Sequence, residues 1–129
     1  MSKTTLWFVR SSLVYFGIGV LLGISMAVYP SSIQYLRFAH IHVNLLGWIS
    51  MMIFGVSYHV FPRFSGKQLW SEKLAQWHFM TAHTGLIGMV VCYPFRPLTD
   101  GMFIAFASIE VLSVFMFLLN MFKTLQAES

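Results

Sequence analysis

Four long apolar runs constrain the fold of this chain more than any other feature. They cover about residues 6–29, 38–62, 74–95 and 101–122. A helix needs about 20 residues to cross the hydrocarbon core of a bilayer, so each run is long enough to span it. Because lipid offers no hydrogen-bond partners to an open backbone, each run must be helical. The sequence therefore predicts an all-α membrane protein, a four-helix transmembrane bundle.

The composition agrees with a bilayer environment. Of the 129 residues, 57% are hydrophobic and only 9% are charged, whereas a soluble domain carries about a quarter charged residues. The length suits one transmembrane domain over residues 1–129. The net charge of +4 does not indicate nucleic acid, since the basic residues lie between the apolar runs. The single cysteine, Cys92, excludes an intrachain disulfide and is expected to be a buried packing residue.

The distribution of basic residues predicts the orientation. The first run is longer than the apolar core of a cleaved signal peptide and indicates a retained helix. Only Arg37 and Arg96 lie on one side of the predicted bundle. The other six lie at the N-terminal region, the middle loop and the C-terminal end: Lys3, Arg10, Arg63, Lys67, Lys73 and Lys123. The positive-inside rule then places both termini in the cytoplasm of a multi-pass protein, which we expect in a prokaryotic inner membrane.

All five histidines lie in the second and third predicted helices. His40, His42 and His59 belong to the second, and His78 and His83 to the third. Ionisable side chains at membrane depth are costly and usually mark a functional site. Imidazole is also a common ligand for haem iron and other transition metals. A metal or haem site between these two helices is therefore the first hypothesis.

Helical periodicity separates the roles of the first two histidines. His40 shares its face with small and polar residues such as Asn44 and Gly47, which indicates a face turned into the bundle. His42 shares its face with apolar residues only, among them Leu46 and Ile53. The two positions lie about 200° apart, so the same metal would need an irregular helix to reach both.

Depth in the membrane gives a second comparison. His59 and His78 each fall roughly 6–8 Å from the cytoplasmic ends of their helices and match best. His42 and His83 differ in depth by roughly 12 Å. Met89 lies at a better depth to face His42 and is an alternative thioether ligand. Depth alone does not decide which two residues would be the axial ligands of the iron.

Structural roles are the alternative for each histidine. His59 and His78 would then be half-solvated polar helix ends, and His40 would reach the outer interface. His83, near mid-membrane, would make a hydrogen bond to a neighbouring helix. All five in structural roles is the less favoured interpretation.

One stretch resembles a known family. The run HIHVNLLGWISMMIFGVSYHVFPR, residues 40–63, is similar to the second transmembrane helix of haem-copper oxidase and nitric-oxide reductase large subunits. The register of SYHVFPR aligns the haem ligand of that helix with His40. The local pattern HVN aligns it with His42, which we favour. The run AHTGLIG in the third helix is similar to a pattern of small four-helix relatives of these subunits and nominates His83.

The resemblance implies a low-spin haem site and not the catalytic centre. The large subunits have many more helices, and later ones hold a second haem and a copper or iron that this chain has no helices to bind. The chain also lacks the His-x-x-x-Tyr pattern that accompanies copper in many oxidases. We therefore expect a haem b protein with bis-His ligation, suited to electron transfer and without independent catalysis. One haem or two are implied, with copper as a less favoured alternative.

Four further residues are candidates around such a site. Asn44 would donate a hydrogen bond to a ligand imidazole or a propionate. Arg37 and Arg96 lie on the outer side and are candidate propionate partners, since guanidinium pairs well with carboxylate. Glu110 lies midway along the fourth helix, where a carboxyl is protonated, paired, or part of a proton path. Its expected partner is a histidine or a hydroxyl such as Thr81 or Ser113.

The small size of the bundle predicts a homo-oligomer, because a partner subunit would supply missing ligands. A quinol or another respiratory-chain donor is the expected electron source. The alternative function is a haem or copper sensor, chaperone or assembly factor for respiratory oxidases, without turnover. A structural membrane protein is the third.

Overall fold

A computed structural model describes residues 2–126, which form four long helical stretches joined by short loops. The first helix, α1, spans Lys3–Val28. The second stretch runs through α2 (Ile33–His42), a π-helical segment (Val43–Ser50) and α3 (Met51–Phe64). The chain continues into α4 (Glu72–Cys92) and α5 (Asp100–Gln126). No strand occurs within residues 2–126, so the all-helical prediction is confirmed. Of the predicted domain, residues 1 and 127–129 lie outside the described residues.

Three of the four stretches are long and apolar enough to cross a membrane. They are Lys3–Val28, Pro30–Phe64 and Asp100–Gln126. With 21 residues, α4 reaches the length of about 20 residues that a span requires. Its apolar character is interrupted by polar residues such as Gln76, His78 and His83. The four-span bundle with cytoplasmic termini stays a prediction.

The second stretch begins earlier than the sequence predicts. Residues 30–37 are predicted as a loop, but a 3₁₀ turn over Pro30–Ser32 leads directly into α2 at Ile33. Proline suits the first position of a helix, because its missing N–H has no intrahelical acceptor there. The Ser32 hydroxyl donates to the Tyr29 carbonyl (2.7 Å) and satisfies one open acceptor at the turn. The prediction of a loop was wrong at this point, since its polar residues extend the helix instead.

Helix ends carry ordinary caps. The Ser2 hydroxyl accepts from the Thr5 amide at the start of α1, and the Ser71 hydroxyl accepts from the Leu74 amide at the start of α4 (3.1 Å). After α3 the chain turns at Gly66, whose φ of 64° lies in the left-handed region that favours glycine. At the other side, α4 ends at Cys92 and a 3₁₀ turn spans Tyr93–Phe95.

The helices pack as two pairs. α4 lies against α5 along most of its length, and α1 lies against the π-helical segment and α3. Contacts between the pairs are sparser and join α4 to α1, to α2 and to the π-helical segment, and α5 to α3. We call the boundary between the pairs the seam. The end of the molecule formed by the start of α1, the end of α3, the start of α4 and the end of α5 is called the middle-loop end.

Two clusters fill the core. The larger lies toward the middle-loop end around Phe8, Met51 and Phe54. The smaller lies toward the opposite end around Tyr15, Val43 and Leu86. Most other large apolar side chains are exposed, as expected of a surface that faces lipid. Cys92 is buried, as predicted.

Candidate functional site

His42 ends α2 and opens onto a cleft. Its Nδ1 lies 2.9 Å from the carbonyl oxygen of Phe38, one turn earlier. Because a carbonyl only accepts, Nδ1 carries the proton and Nε2 is left with a free lone pair. The cleft has a volume of about 770 Å³ and is lined by His42, Phe38, Arg37 and Tyr93 among others. In this orientation Nε2 is the ring nitrogen that could coordinate a metal.

A stack of aromatic rings forms one wall of this cleft. Phe38 stacks on His42 with ring centroids 3.9 Å apart and on Tyr93 with centroids 3.8 Å apart. Phe103 meets the same ring edge-on at 5.7 Å. The stack joins α2 to the end of α4 and the start of α5, so it fixes the position of His42 in the fold. Polar side chains, among them Ser31, Gln34 and Arg37, line the rest of the cleft.

His40 faces α1 instead of the cleft. Its Nδ1 lies 2.9 Å from the Gly19 carbonyl oxygen, and its ring packs over Gly23, where an added Cβ would lie 3.1 Å from Cε1. Asn44 donates from Nδ2 to the His40 carbonyl (2.7 Å) and covers Gly19. The two glycines allow the imidazole and the amide to approach the backbone of α1. His40 therefore turns into the bundle, as its face predicts, and Asn44 is engaged with the backbone.

The π-helical segment directly follows His42. It covers Val43–Ser50 within an otherwise α-helical stretch. π-helical turns often lie at functional sites. Because a π-helix has more residues per turn, the segment shifts the faces of α3 relative to those of α2. His40 and His42 both precede the segment. The angle between their faces inferred from helical periodicity is therefore unaffected.

His78 is fully buried in the larger core cluster. Its Nδ1 lies 2.9 Å from the hydroxyl of Tyr58. Phe54 and Phe8 flank the ring, with centroids 4.6 Å and 4.9 Å away. The depths inferred from the sequence match His78 with His59. In the structure, the residue that contacts His78 is Tyr58. His59 instead lines a cleft of about 280 Å³ at the middle-loop end.

His83 lies halfway along α4 beside Tyr15. Its Nδ1 donates to the Phe79 carbonyl oxygen (2.8 Å), and the Tyr15 ring centroid lies 5.6 Å away. Its Nε2 is buried without a hydrogen-bond partner in the described part of the chain. Tyr93, which belongs to the stack around His42, lies ten residues further along the chain, a rise of about 15 Å at helical geometry. His42 and His83 thus occupy different surroundings.

Glu110 is buried where α5 crosses α4. An added Cβ on Gly85 would lie 2.7 Å from Glu110 Oε2 and 2.8 Å from its backbone nitrogen. Oε2 has no hydrogen-bond partner within residues 2–126. The Ser113 hydroxyl donates to the Glu110 carbonyl (2.8 Å), and that of Thr81 donates to the Trp77 carbonyl (3.0 Å). Neither expected hydroxyl partner therefore reaches the carboxyl, and an unsatisfied buried polar group costs about 1–3 kcal/mol.

The two outer arginines differ in their surroundings. Arg37 is exposed and lines the cleft of His42. Arg96 forms an ion pair with Asp100, and its guanidinium lies 4.7 Å from the centroid of the Phe103 ring. Only Arg37 therefore faces the same cleft as a candidate iron ligand. Met89 is buried within α4 at 6% exposure.

Several site features were not predicted from the sequence. The π-helical segment and the contact between Tyr58 and His78 depend on how the helices pack. The sequence spacing could have predicted the stacking of Phe38 on His42, because side chains four residues apart on a helix are neighbours. Among residues 2–126, no three His, Cys, Asp or Glu side chains are grouped closely enough to hold a metal ion. A haem iron needs only one or two protein ligands.

Comparisons with known proteins point to one family. The family model described as Cytochrome C and Quinol oxidase polypeptide I matches residues 1–127. The chain is 43% identical over 49 residues to cytochrome c oxidase subunit 1 of Rhodobacter capsulatus, covering 37% of this chain and 9% of that protein. It is 31% identical over 91 residues to the Cbb3-type cytochrome c oxidase subunit CcoN1 of Stutzerimonas stutzeri, covering 67% of this chain and 19% of that protein.

A third relative is the cytochrome c oxidase subunit 1 homolog of Agrobacterium tumefaciens (strain T37), 39% identical over 49 residues, which are 37% of this chain and 9% of the relative. The chain thus spans less than a fifth of the length of these curated relatives. No solved structure matches the chain significantly.

Proposed function

Since the chain belongs to the family of Cytochrome C and Quinol oxidase polypeptide I, we propose that it is a membrane haem b protein that transfers electrons. The family and the apolar helices make it a membrane protein related to respiratory oxidases. We propose that this protein binds haem, and we propose which residues bind it and which partners the protein has. The chain covers only a small part of its relatives' length, so the activity of the whole oxidases is not included.

One observation carries the proposal: His42 and Arg37 line the same cleft. His42 presents Nε2 for iron because Nδ1 is held by the Phe38 carbonyl. Arg37 supplies a guanidinium for a propionate carboxylate. Phe38 and Tyr93 supply a flat aromatic wall. The volume of about 770 Å³ lies within the range of about 300–1,000 Å³ typical of ligand pockets. These residues fit a haem at the end of the molecule opposite the middle loop.

His83 remains our candidate for the second axial ligand, but its depth differs from that of His42. Tyr93 stacks on Phe38, one turn before His42, so His83 lies roughly 9 Å deeper in the bundle than His42, where it lines a different cleft. We propose that a second copy of the chain completes the ligation of the outer haem, in a homo-oligomer. Of the remaining sequence candidates, His40 and Met89 are alternatives at this end, and His59 and His78 are candidates for a second haem.

Haem, when bound, supplies one-electron redox chemistry. The protein groups around it have separate tasks. The carbonyl of Phe38 orients the His42 ring, and Arg37 would hold a propionate carboxylate. The aromatic rings of Phe38 and Tyr93 would exclude water from the bound group. The proposed electron source is a quinol or another respiratory-chain donor, and the proposed location is the inner membrane of a prokaryote.

The test is haem retention by single variants. We expect His42→Ala to lose most of its haem b, measured from the absorbance of the reduced protein per chain. Gln68→Ala is the control, since Gln68 lies in the cleft at the middle-loop end and is not a candidate ligand, and it should keep all of its haem. Full haem in His42→Ala, or a protein that stays colourless when haem is added, would contradict the proposal. Rapid reduction by quinol would support electron transfer over a sensing or assembly role.

A further inference from the structure

A groove on the outer surface of the helices crosses the seam between the two pairs. Residues of α1 form one wall and Phe79 of α4 forms the other, and the groove has a volume of about 430 Å³. The rings of Trp7 and Phe79 lie across it with centroids 5.8 Å apart. Arg10 and Phe79 each lie about two turns, or roughly 10 Å, beyond the start of their helices. We call this the seam groove, and its lining residues are Trp7, Arg10, Ser11, Val14 and Phe79.

Arg10 lies further along its helix than the exposed tryptophans of this end. Trp7, Trp70 and Trp77 are exposed toward the middle-loop end, and exposed tryptophans gather at the level of the lipid headgroups. Arg10 follows Trp7 on the same face of α1, about 4.5 Å further from the middle-loop end. The Arg10 side chain is itself exposed. Its guanidinium therefore reaches the headgroups from the hydrocarbon side, as a snorkelling arginine does.

The guanidinium of Arg10 has no acidic partner in the described chain. Within residues 2–126 the one ion pair joins Arg96 to Asp100, at the opposite end of the molecule. No Asp or Glu side chain lines the seam groove. Arginine stays charged at every physiological pH, and a charge at membrane depth requires a partner or water. A group that neutralises Arg10 in the groove would therefore be an anion from outside these residues.

The other arginine at this end has different surroundings. Arg63, near the end of α3, lines the cleft of about 280 Å³ at the middle-loop end together with Gln68 and Glu72. That cleft lies between helix ends and the loop, and it offers both a carboxylate and polar groups. The seam groove offers Arg10 neither, so its depth and apolar walls, and not charge alone, distinguish it from Arg63.

Apolar side chains line the groove beyond Arg10. Val14 lies one turn further along α1 and is exposed, and Phe79 faces it from α4. A lone guanidinium beside an open apolar groove matches a molecule with an anionic head and a hydrocarbon tail. A phospholipid has this combination, because its phosphate and its acyl chains are joined through glycerol.

We propose that the seam groove binds an anionic phospholipid, whose phosphate pairs with Arg10 and whose acyl chain lies along Val14 and Phe79. Guanidinium binds two phosphate oxygens at once. A lipid of net negative charge suits the groove better than a zwitterionic one, because no carboxylate there would receive a positive headgroup. The lipid touches both helix pairs, so it stabilises the seam, where direct contacts are sparse. The site does not depend on the haem and is testable without it.

The test measures lipid retention by native mass spectrometry of the full chain in detergent. Phosphatidylglycerol and phosphatidylcholine with the same acyl chains are added in equal amounts, and we expect the wild type to retain mainly phosphatidylglycerol. Arg10→Gln should lower this retention about tenfold, because the charge-assisted hydrogen bonds to the phosphate are lost. Arg63→Gln is the matched control, with the same change of charge at the same end, and should retain the lipid as the wild type does.

A second measurement follows thermal unfolding by circular dichroism. Phosphatidylglycerol should raise the unfolding temperature of the wild type and of Arg63→Gln, but not that of Arg10→Gln.

Equal retention of the two lipids by the wild type would overturn the proposal, and this comparison needs no variant to fold. Equal retention of phosphatidylglycerol by Arg10→Gln and Arg63→Gln would overturn it too. Inorganic phosphate distinguishes a lipid from a soluble anion: we expect it to leave the bound lipid in place, and displacement of the lipid would contradict the assignment. None of these outcomes bears on the haem experiments.

Discussion

Three histidines share one kind of contact, within the helix for His42 and His83 and between helices for His40. His40, His42 and His83 each direct Nδ1 at a backbone carbonyl at 2.8–2.9 Å. The contact fixes the tautomer and leaves Nε2 as the nitrogen that can bind iron. What distinguishes them is the surroundings of Nε2. His42 lines a cleft together with the exposed Arg37, His83 lines a separate, largely apolar cleft, and His40 packs over Gly23.

The two outer arginines allow a matched prediction. Arg37→Ala should weaken haem binding by roughly tenfold or more, since a hydrogen bond to a charged group contributes about 1.5–3 kcal/mol. Arg96→Ala should change it little, because Arg96 already pairs with Asp100. Titration of haem into haem-free protein measures both affinities. Equal losses in the two variants would show that Arg37 has no special contact with the bound group.

At the scale of elements, the second helical stretch is not one uniform α-helix. The π-helical segment Val43–Ser50 separates the histidine-bearing α2 from α3. The α4–α5 pair depends on a close backbone approach. At Gly85 an added Cβ would lie 2.8 Å and 2.9 Å from the backbone nitrogen and Cα of Glu110. Backbone atoms cannot rotate away, so the two helices would have to separate.

Gly85→Ala is therefore expected to destabilise the protein. Overpacking of this kind costs about 1–3 kcal/mol. The control is Gly101→Ala, where nothing lies within 4 Å of an added Cβ, and which should be neutral or slightly stabilising because alanine favours helix. Unfolding of both variants in detergent, followed by circular dichroism, measures the difference. A Gly85→Ala variant as stable as Gly101→Ala would mean that α4 and α5 are further apart than described.

At the scale of the whole molecule, two helix pairs meet at the seam with few contacts. His78 and His83 project from α4 toward residues of the other pair, Tyr58 and Tyr15. The two histidines of α4 thus lie where the two helix pairs meet. The basic residues of the loops predict the orientation of the chain in the membrane, and this prediction allows a direct test.

Cysteine labelling checks the orientation. Leu98→Cys should react with a membrane-impermeant maleimide added to the periplasmic side of spheroplasts, since Leu98 is 94% exposed in the loop before α5. Gln68→Cys, in the middle loop, should react only after the membrane is opened. The native Cys92 is buried, so background labelling should be low. The reverse pattern would place both termini outside, against the positive-inside rule.

The sequence by itself determined the helical elements. Four apolar runs long enough for a bilayer predicted helices near their observed positions, and the inward face of His40 followed from its small and polar neighbours. These features are local, because they depend on chain length, lipid and a period of 3.6 residues. Boundaries near polar helical residues were less accurate, as at residues 30–37, because the same residues are compatible with a loop and with an exposed first turn.

Only the tertiary structure decided which groups meet. The contact of Tyr58 with His78, in place of His59, depends on how α3 and α4 rotate against each other after the π-helical segment. The burial of Glu110 against Gly85 depends on the approach of α4 and α5, and the cleft of His42 depends on the stack of Phe38 on Tyr93. Side chains from distant parts of the chain come together through packing, which a periodic pattern within one helix does not contain.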